Sequence, residues 1–211
     1  MISLSTSSSK KSLVTVVVPS LNQGVYLEKA LRSIFEQKVS IQLFIMDGGS
    51  SDNSVEIIKK WEYKINDWRS YKDNGQANAI NEGVALGDAP YICWLNSDDW
   101  MLPNGLHTLL HVLEANPETP VVYGKSWNFI EKTGKKKPTW VEPFNTSRLA
   151  LRCIISQPAT LIRRSAWEAV GGLDNNLHLA LDYDLWWRIY KESGNFKFIN
   201  KYVAVNRDHP K

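Results

Sequence analysis

The chain is poor in the features that mark several large protein classes. Its 211 residues include only two cysteines, Cys93 and Cys153. Two isolated cysteines make neither a disulfide framework nor a zinc site. Cys93 sits in the apolar run from Tyr91 to Leu95 and reads as a buried strand residue, which fits a reduced, cytoplasmic setting. No apolar run approaches the roughly 20 residues that span a bilayer. The first dozen residues, 1–12, are rich in Ser and Lys, lack the apolar stretch of a signal peptide and read as a flexible tail. Membrane contact is therefore expected to be peripheral, on the inner face. An excess of one charge is lacking too: 25 Lys and Arg face 22 Asp and Glu, for a net charge of +3. Without a basic stripe, no nucleic-acid partner is expected. The densest basic run, Lys135 to Lys137, reads as a solvated loop, or else as a contact for acidic headgroups or an anionic acceptor.

Familiar catalytic signatures are missing as well. No G-x-G-x-x-G follows the first strand, which argues against ordinary dinucleotide binding. Gly124-Lys125-Ser126 hints at a phosphate loop, but Thr119 stands where its first glycine belongs. There is no G-x-S-x-G nucleophile turn. His107 and His111 have zinc-pair spacing, yet no acidic residue follows His107 and their neighbours are leucines.

What is present is a well-patterned α/β chain, 43% hydrophobic, with nine tryptophans. Most of these tryptophans are expected in the core, and several are suited to line a sugar cleft. Val14 to Val18 is a β-branched run ended by Pro19, as in a buried strand. Leu27, Leu31 and Ile34 then share one helical face. A second strand, Gln42 to Met46, leads into Asp47-Gly48-Gly49-Ser50-Ser51-Asp52 and a helix with Val55, Ile58 and Trp61 inward. A strand at Arg69 to Lys72, a helix at Ala77 to Leu86 and a strand at Tyr91 to Leu95 follow. Pro103 opens a helix carrying Leu106, Leu109, Leu110 and Leu113, and Val121 to Tyr123 is a short strand. Lys125 to Arg148 reads as irregular. Beyond it come a strand at Thr160 to Arg163, helices at Ser165 to Val170 and Leu181 to Glu192, and a strand at Phe196 to Asn200. This alternation predicts a mostly parallel sheet flanked by helices, with ligands beyond the carboxyl ends of the strands. No linker divides residues 13–211, so one domain is expected.

Four acidic groups are candidates for such a site. Asn96-Ser97-Asp98-Asp99 ends a buried strand, and its adjacent carboxylates repel unless a cation or donors offset them. Mg²⁺ or Mn²⁺ would suit them, and helix capping is the plainer alternative. Asp47 reads as a contact for a nucleobase or as a turn residue. Asp73 and Gln76 read as loop polar groups. Asp182 and Asp184 cannot share one helix face, so one can point to a cleft while the other caps.

Six segments in order resemble glycosyltransferase family 2: Thr15 to Gln23, Ile45 to Asp52, Asp73 to Gln76 with Ala79 to Gly83, Trp94 to Trp100, Gly171 to Asp174, and Asp182 to Arg188. The resemblance implies a GT-A fold. Its nucleotide-sugar-binding half would lie at about 13–100 and its acceptor-binding half at about 101–211. It implies an inverting transfer of a sugar from a nucleotide-diphosphate donor, UDP favoured, to a saccharide, lipid-linked or protein acceptor. Pro19, Ser20 and Asn22 would touch the nucleoside, and Asp47 the base. Asp73, Gln76 and Asp98 would lie along the donor. Asp99 would be first to bind Mg²⁺ or Mn²⁺, with Asp98 beside it and His209 approaching the metal or diphosphate. Asp182 would be the general base. Asn96 replaces the first acid of the family's usual run, and Leu181 a customary Glu before the base. The alternatives are a degenerate domain that binds nucleotide sugar without turnover and a sugar nucleotidyltransferase. The latter usually carries a glycine-rich basic loop, and Ser20 to Gly24 is neither.

Overall fold

A computed structural model describes residues 11–209, so all but the end of the expected tail lies outside the described residues. The first strand, β1 (Val14–Ser20), is buried along its whole length. Its period of two sends Val14, Val16 and Val18 into one core and Val17 into the other. Burying each such side chain contributes about 1.5–3 kcal/mol, which is why so β-branched a run takes the centre of the sheet. Helix α1 (Gly24–Phe35) crosses to the parallel strand β2 (Ile41–Asp47), and α2 (Ser54–Trp61) crosses to β3 (Asp67–Ser70). Helix α3 (Gln76–Leu86) then carries the chain back to β4 (Tyr91–Trp94), which pairs with the other edge of β1. The resulting order, β3-β2-β1-β4, reverses direction between β1 and β4. Loops that leave β1 and β4 diverge there, and their divergence opens a crevice.

The rest of the chain extends the sheet with mixed pairing. After the short β5 (Trp100–Met101) and α4 (Gly105–Glu114), β6 (Val121–Ile130) turns back into β7 (Lys135–Pro138). Helix α5 (Thr146–Leu151), β8 (Thr160–Arg163), α6 (Arg164–Ala169), α7 (Leu181–Ser193) and β9 (Lys197–Asp208) complete it. Strand β8 lies antiparallel between β4 and β6, and β9 runs parallel to β6 and antiparallel to β5. Helices α1, α2 and α4 cover one face of the sheet, while α3, α5, α6 and α7 cover the other.

The region expected to be irregular, Lys125 to Arg148, instead holds the end of β6, the strand β7 and the helix α5. Lys135 to Lys137 lie exposed on β7, which pairs only with β6. Lysines on an edge strand keep it in water and discourage further pairing, so the run has the solvated character expected of it, but as strand. Strand β9 extends to Asp208, well beyond the expected end at Asn200. Its second half gains partners from both β6 and β5, a tertiary contribution that local pattern does not announce.

Candidate active site

The crevice between β1 and β4 is a cleft of about 270 Å³. Pro19 and Ser20 from β1, Asp73, Gln76 at the start of α3, and Asn96 and Asp98 after β4 line it. Ser20 Oγ and Gln23 Oε1, both on its wall, have no hydrogen-bond partner among the described residues. Buried polar atoms of this kind are uncommon, and a polar ligand would satisfy them.

Asn22 and Asp47 stand behind this lining. Asn22 has φ of +53°; its N–H donates to Ser50 Oγ (2.8 Å) and its Oδ1 accepts from the Ser51 N–H (2.8 Å). It ties the loop after β1 to the loop after β2. Asp47 is fully buried. Its Oδ2 accepts from the N–H groups of Gly49 (3.1 Å) and Ser50 (2.8 Å) and from Ser70 Oγ (2.7 Å), and its Oδ1 accepts from Ser50 Oγ. Four internal donors meet the Asp47 carboxylate and close the turn. Gly49, at φ +85°, gives the turn the left-handed backbone that brings those donors round.

Asp73 is also committed. Its Oδ2 meets Arg69 Nη1 at 2.9 Å, and its Oδ1 accepts from the Gly75 N–H at 2.9 Å. Arg69 pairs with Glu82 (2.7 Å) and donates to the Asp47 carbonyl (2.6 Å). Burial works against its charge, yet Glu82 and Asp73 together hold its pKa above the ordinary value. Arg69 thus fixes the cleft floor. Sequence reading did not single it out, because one arginine in a short strand carries no local signal.

The acidic turn after β4 separates its two carboxylates. Asp99 points inward: Oδ1 accepts from the Arg207 N–H of β9 (2.8 Å), and Oδ2 lies 3.5 Å from Asn96 Nδ2. Burial, then the neighbouring Asp98, pushes its pKa up to about 8. Asp98 points outward, with its side chain 24% exposed, and its Oδ2 lies 2.9 Å from His209 Nε2. Asp98 lines both clefts, whereas Asp99 lines the second while one of its oxygens is held by the β9 N–H. Gln76 Nε2 donates to Asn96 Oδ1 (2.7 Å), so the amide at that position joins the two sides of the cleft. Behind the turn, Arg207 Nε donates to the Asp98 carbonyl (3.0 Å) and its guanidinium lies 4.4 Å from the Tyr26 ring. Among the described residues no group of three or more His, Cys, Asp or Glu side chains is placed to hold a metal ion. The Asp98 carboxylate suits Mg²⁺ or Mn²⁺ when phosphate oxygens and water complete the shell, and His209 Nε2 lies beside it.

A second cleft of about 540 Å³ opens on the far side of this turn. Asn96 and Asp98 line both clefts, and Asp182 lines the second. Asp182 occupies the first turn of α7, after Ala180 at φ +55°. Burial raises its pKa, while N–H groups of that turn, on Tyr183 and Asp182 itself, pull the other way. Asp184 instead pairs with Arg188 at 2.7 Å, and Arg188 donates to the carbonyls of Val170 and Gly172. Of the two aspartates, Asp182 is the one that lines the cleft.

The sequence model of the family described as "Glycosyl transferase family 2" matches residues 15–170. The chain belongs to glycosyl transferase family 2. The match runs from β1 through α6 and stops short of Asp182 and His209. Curated relatives of this family 2 chain include a glycosyltransferase of Rickettsia conorii, 28% identical over 85% of this chain and 32% of the relative. Another is the chondroitin synthase of Escherichia coli, 26% identical over 92% of this chain and 29% of the relative. The chain thus spans about a third of the length of these relatives. Among solved structures, S. aureus TarS 1–349 in complex with UDP superposes with a TM-score of 0.77 at 17% identity, covering 94% of this chain and 61% of that one. The mannosyltransferase PcManGT of Pyrobaculum calidifontis, in complex with GDP-Man and Mn²⁺, superposes with a TM-score of 0.70 at 16% identity, covering 94% and 57%. The family 2 chain has the GT-A fold.

Proposed function

We propose that the chain transfers a sugar, with inversion, from a nucleoside-diphosphate donor in the first cleft to an acceptor hydroxyl in the second. One observation carries this reading: two clefts of different construction meet at Asn96 and Asp98, and the half-buried carboxylate of Asp182 lines the second. The family and the nucleotide complexes of TarS and PcManGT support it. A UDP-sugar is the favoured donor; TarS also has a structure in complex with UDP-GlcNAc.

In this reading Pro19 and Ser20 meet the nucleoside, Asp73 and Gln76 lie along the donor and Asp98 meets the diphosphate; all five line the first cleft. Asp98 and His209 would hold Mg²⁺ or Mn²⁺, with Asp99 behind them anchoring the turn to β9. Such a cation offsets the negative charge that develops on a departing diphosphate. Asp182 takes the proton from the acceptor hydroxyl as its oxygen attacks the anomeric carbon. The bond from that carbon to the diphosphate oxygen breaks in the same displacement, so the configuration inverts and no covalent enzyme intermediate forms.

The test compares wild type with Asp182→Asn, measuring nucleoside diphosphate release from UDP-GlcNAc with a saccharide panel, alongside UDP affinity. Turnover should fall by about 10²–10⁴, the usual worth of a general base, with UDP affinity nearly unchanged. An equal loss of UDP affinity would move Asp182 to a donor-binding or structural role.

A further inference from the structure

The second cleft continues past Asp182. An adjoining hollow of about 560 Å³, lined by Asn128, Lys137, Pro138 and Asp208, shares Thr139, Trp140, Asn206 and Arg207 with it. The two form one trough from the acidic turn to the β6–β7 hairpin. Trp140 stands where they join. Its side chain is 60% exposed, yet it is held in place. The Arg152 guanidinium lies 3.8 Å from the ring centroid, and Trp140 Nε1 donates to Glu142. Glu142 in turn binds Arg148 (2.7 Å) and Arg152 (3.0 Å). An exposed indole fixed in this way is a flat platform of the kind that stacks on the C–H face of a sugar ring.

The trough walls carry a second signal. Thr139 Oγ1, Gln157 Oε1 and Asn206 Oδ1 are buried and have no hydrogen-bond partner among the described residues, and all three side chains line the trough. Gln157 Nε2 donates to the Trp94 carbonyl (2.8 Å), which fixes its Oε1 as an acceptor. Leaving a buried acceptor unmet costs about 1–3 kcal/mol, and a hydroxyl-rich ligand supplies the missing donors after small side-chain rotations. A lipid chain would need an apolar groove. This one is walled by Asn128, Lys137, Asn206 and Asp208.

Resting on the transferase reading above, we infer that the trough is an extended acceptor site for a saccharide chain of at least two units. The attacked hydroxyl lies against Asp182, and a further ring stacks on Trp140. Gln157, Asn206 and Thr139 read the hydroxyls between them.

Calorimetry on protein loaded with UDP and Mn²⁺ tests this, using chito-, malto- and cello-oligosaccharides and oligogalacturonides of one to six units. Wild type, Trp140→Ala and Trp140→Phe are compared, each first titrated with UDP to establish that it is folded. At least one series should bind, with affinity rising about tenfold or more from one unit to three. Trp140→Ala should lose most of that gain, and Trp140→Phe should keep part of it. Failure of every series to bind, length-independent affinity, or a Trp140→Ala variant that binds like wild type would overturn the inference. UDP binding without saccharide binding sinks this inference alone; no UDP binding sinks the transferase reading.

Discussion

Asp182 and Asp184 show how two residues of one type, two positions apart, take different chemistry from their surroundings. Asp184 meets Arg188 one turn on and is a paired surface carboxylate. Asp182 is turned into a cleft, where burial raises its pKa. In the proposed reaction the ionised form is the working base. A raised pKa means that protons compete for it at higher pH than for an ordinary aspartate. The pH profile of kcat/KM should therefore fall on acidification at a midpoint above the ordinary 3.8 of an aspartate. A profile flat down to that range would contradict the assignment. Stability follows the same sign: the folded state holds the proton more tightly than the unfolded one, so this group's contribution declines as pH rises through the folded pKa. Asp182→Asn should accordingly gain stability relative to wild type as pH rises, in thermal melts across that range.

At the level of elements, the site depends on how closely α3 approaches β1. A Cβ added at Gly83 would lie 2.6 Å from Val17 Cγ1 and 3.1 Å from Met46 Cγ. Gly83→Ala should push α3 off the sheet and cost about 1–3 kcal/mol in urea unfolding. Because α3 begins at Gln76, which bonds Asn96 across the cleft, nucleotide affinity should fall with it. An unchanged unfolding midpoint would mean that Val17 yields freely. The elements that build this cleft were legible in the sequence. Val14 to Val18 and Tyr91 to Leu95 are apolar runs that end in polar turns, and such runs have few alternatives to central strands. The elements around the acceptor trough were not. Lys135 to Lys137 carries no strand pattern and becomes β7 only because β6 offers it hydrogen bonds. Trp140, Gln157 and Asn206 lie far apart in sequence, and only the sheet brings them together. Nor does adjacency reveal which of Asp98 and Asp99 faces outward; the Arg207 N–H on β9 decides it.

Across the whole molecule, the two halves of the sheet are joined through the acidic turn. Tyr26 of α1 donates to Glu131 beyond β6 (2.7 Å), and Arg207 of β9 reaches the same Glu131 (3.2 Å). Arg207 also carries the carbonyl of Asp98. The first cleft, the acidic turn and the trough are thereby set by one connected framework. Among the described residues, no helix is long and apolar enough to cross a membrane. In the proposed transferase, Asp98 with His209 is where a metal-bound diphosphate meets the protein. Calorimetric titration of UDP and GDP, with and without Mn²⁺, on wild type and Asp98→Ala tests it most directly. Mn²⁺ should tighten one nucleotide by about tenfold or more in wild type, and Asp98→Ala should abolish that gain. Equal nucleotide affinity with and without Mn²⁺ in wild type, or a metal effect that survives in Asp98→Ala, would contradict it.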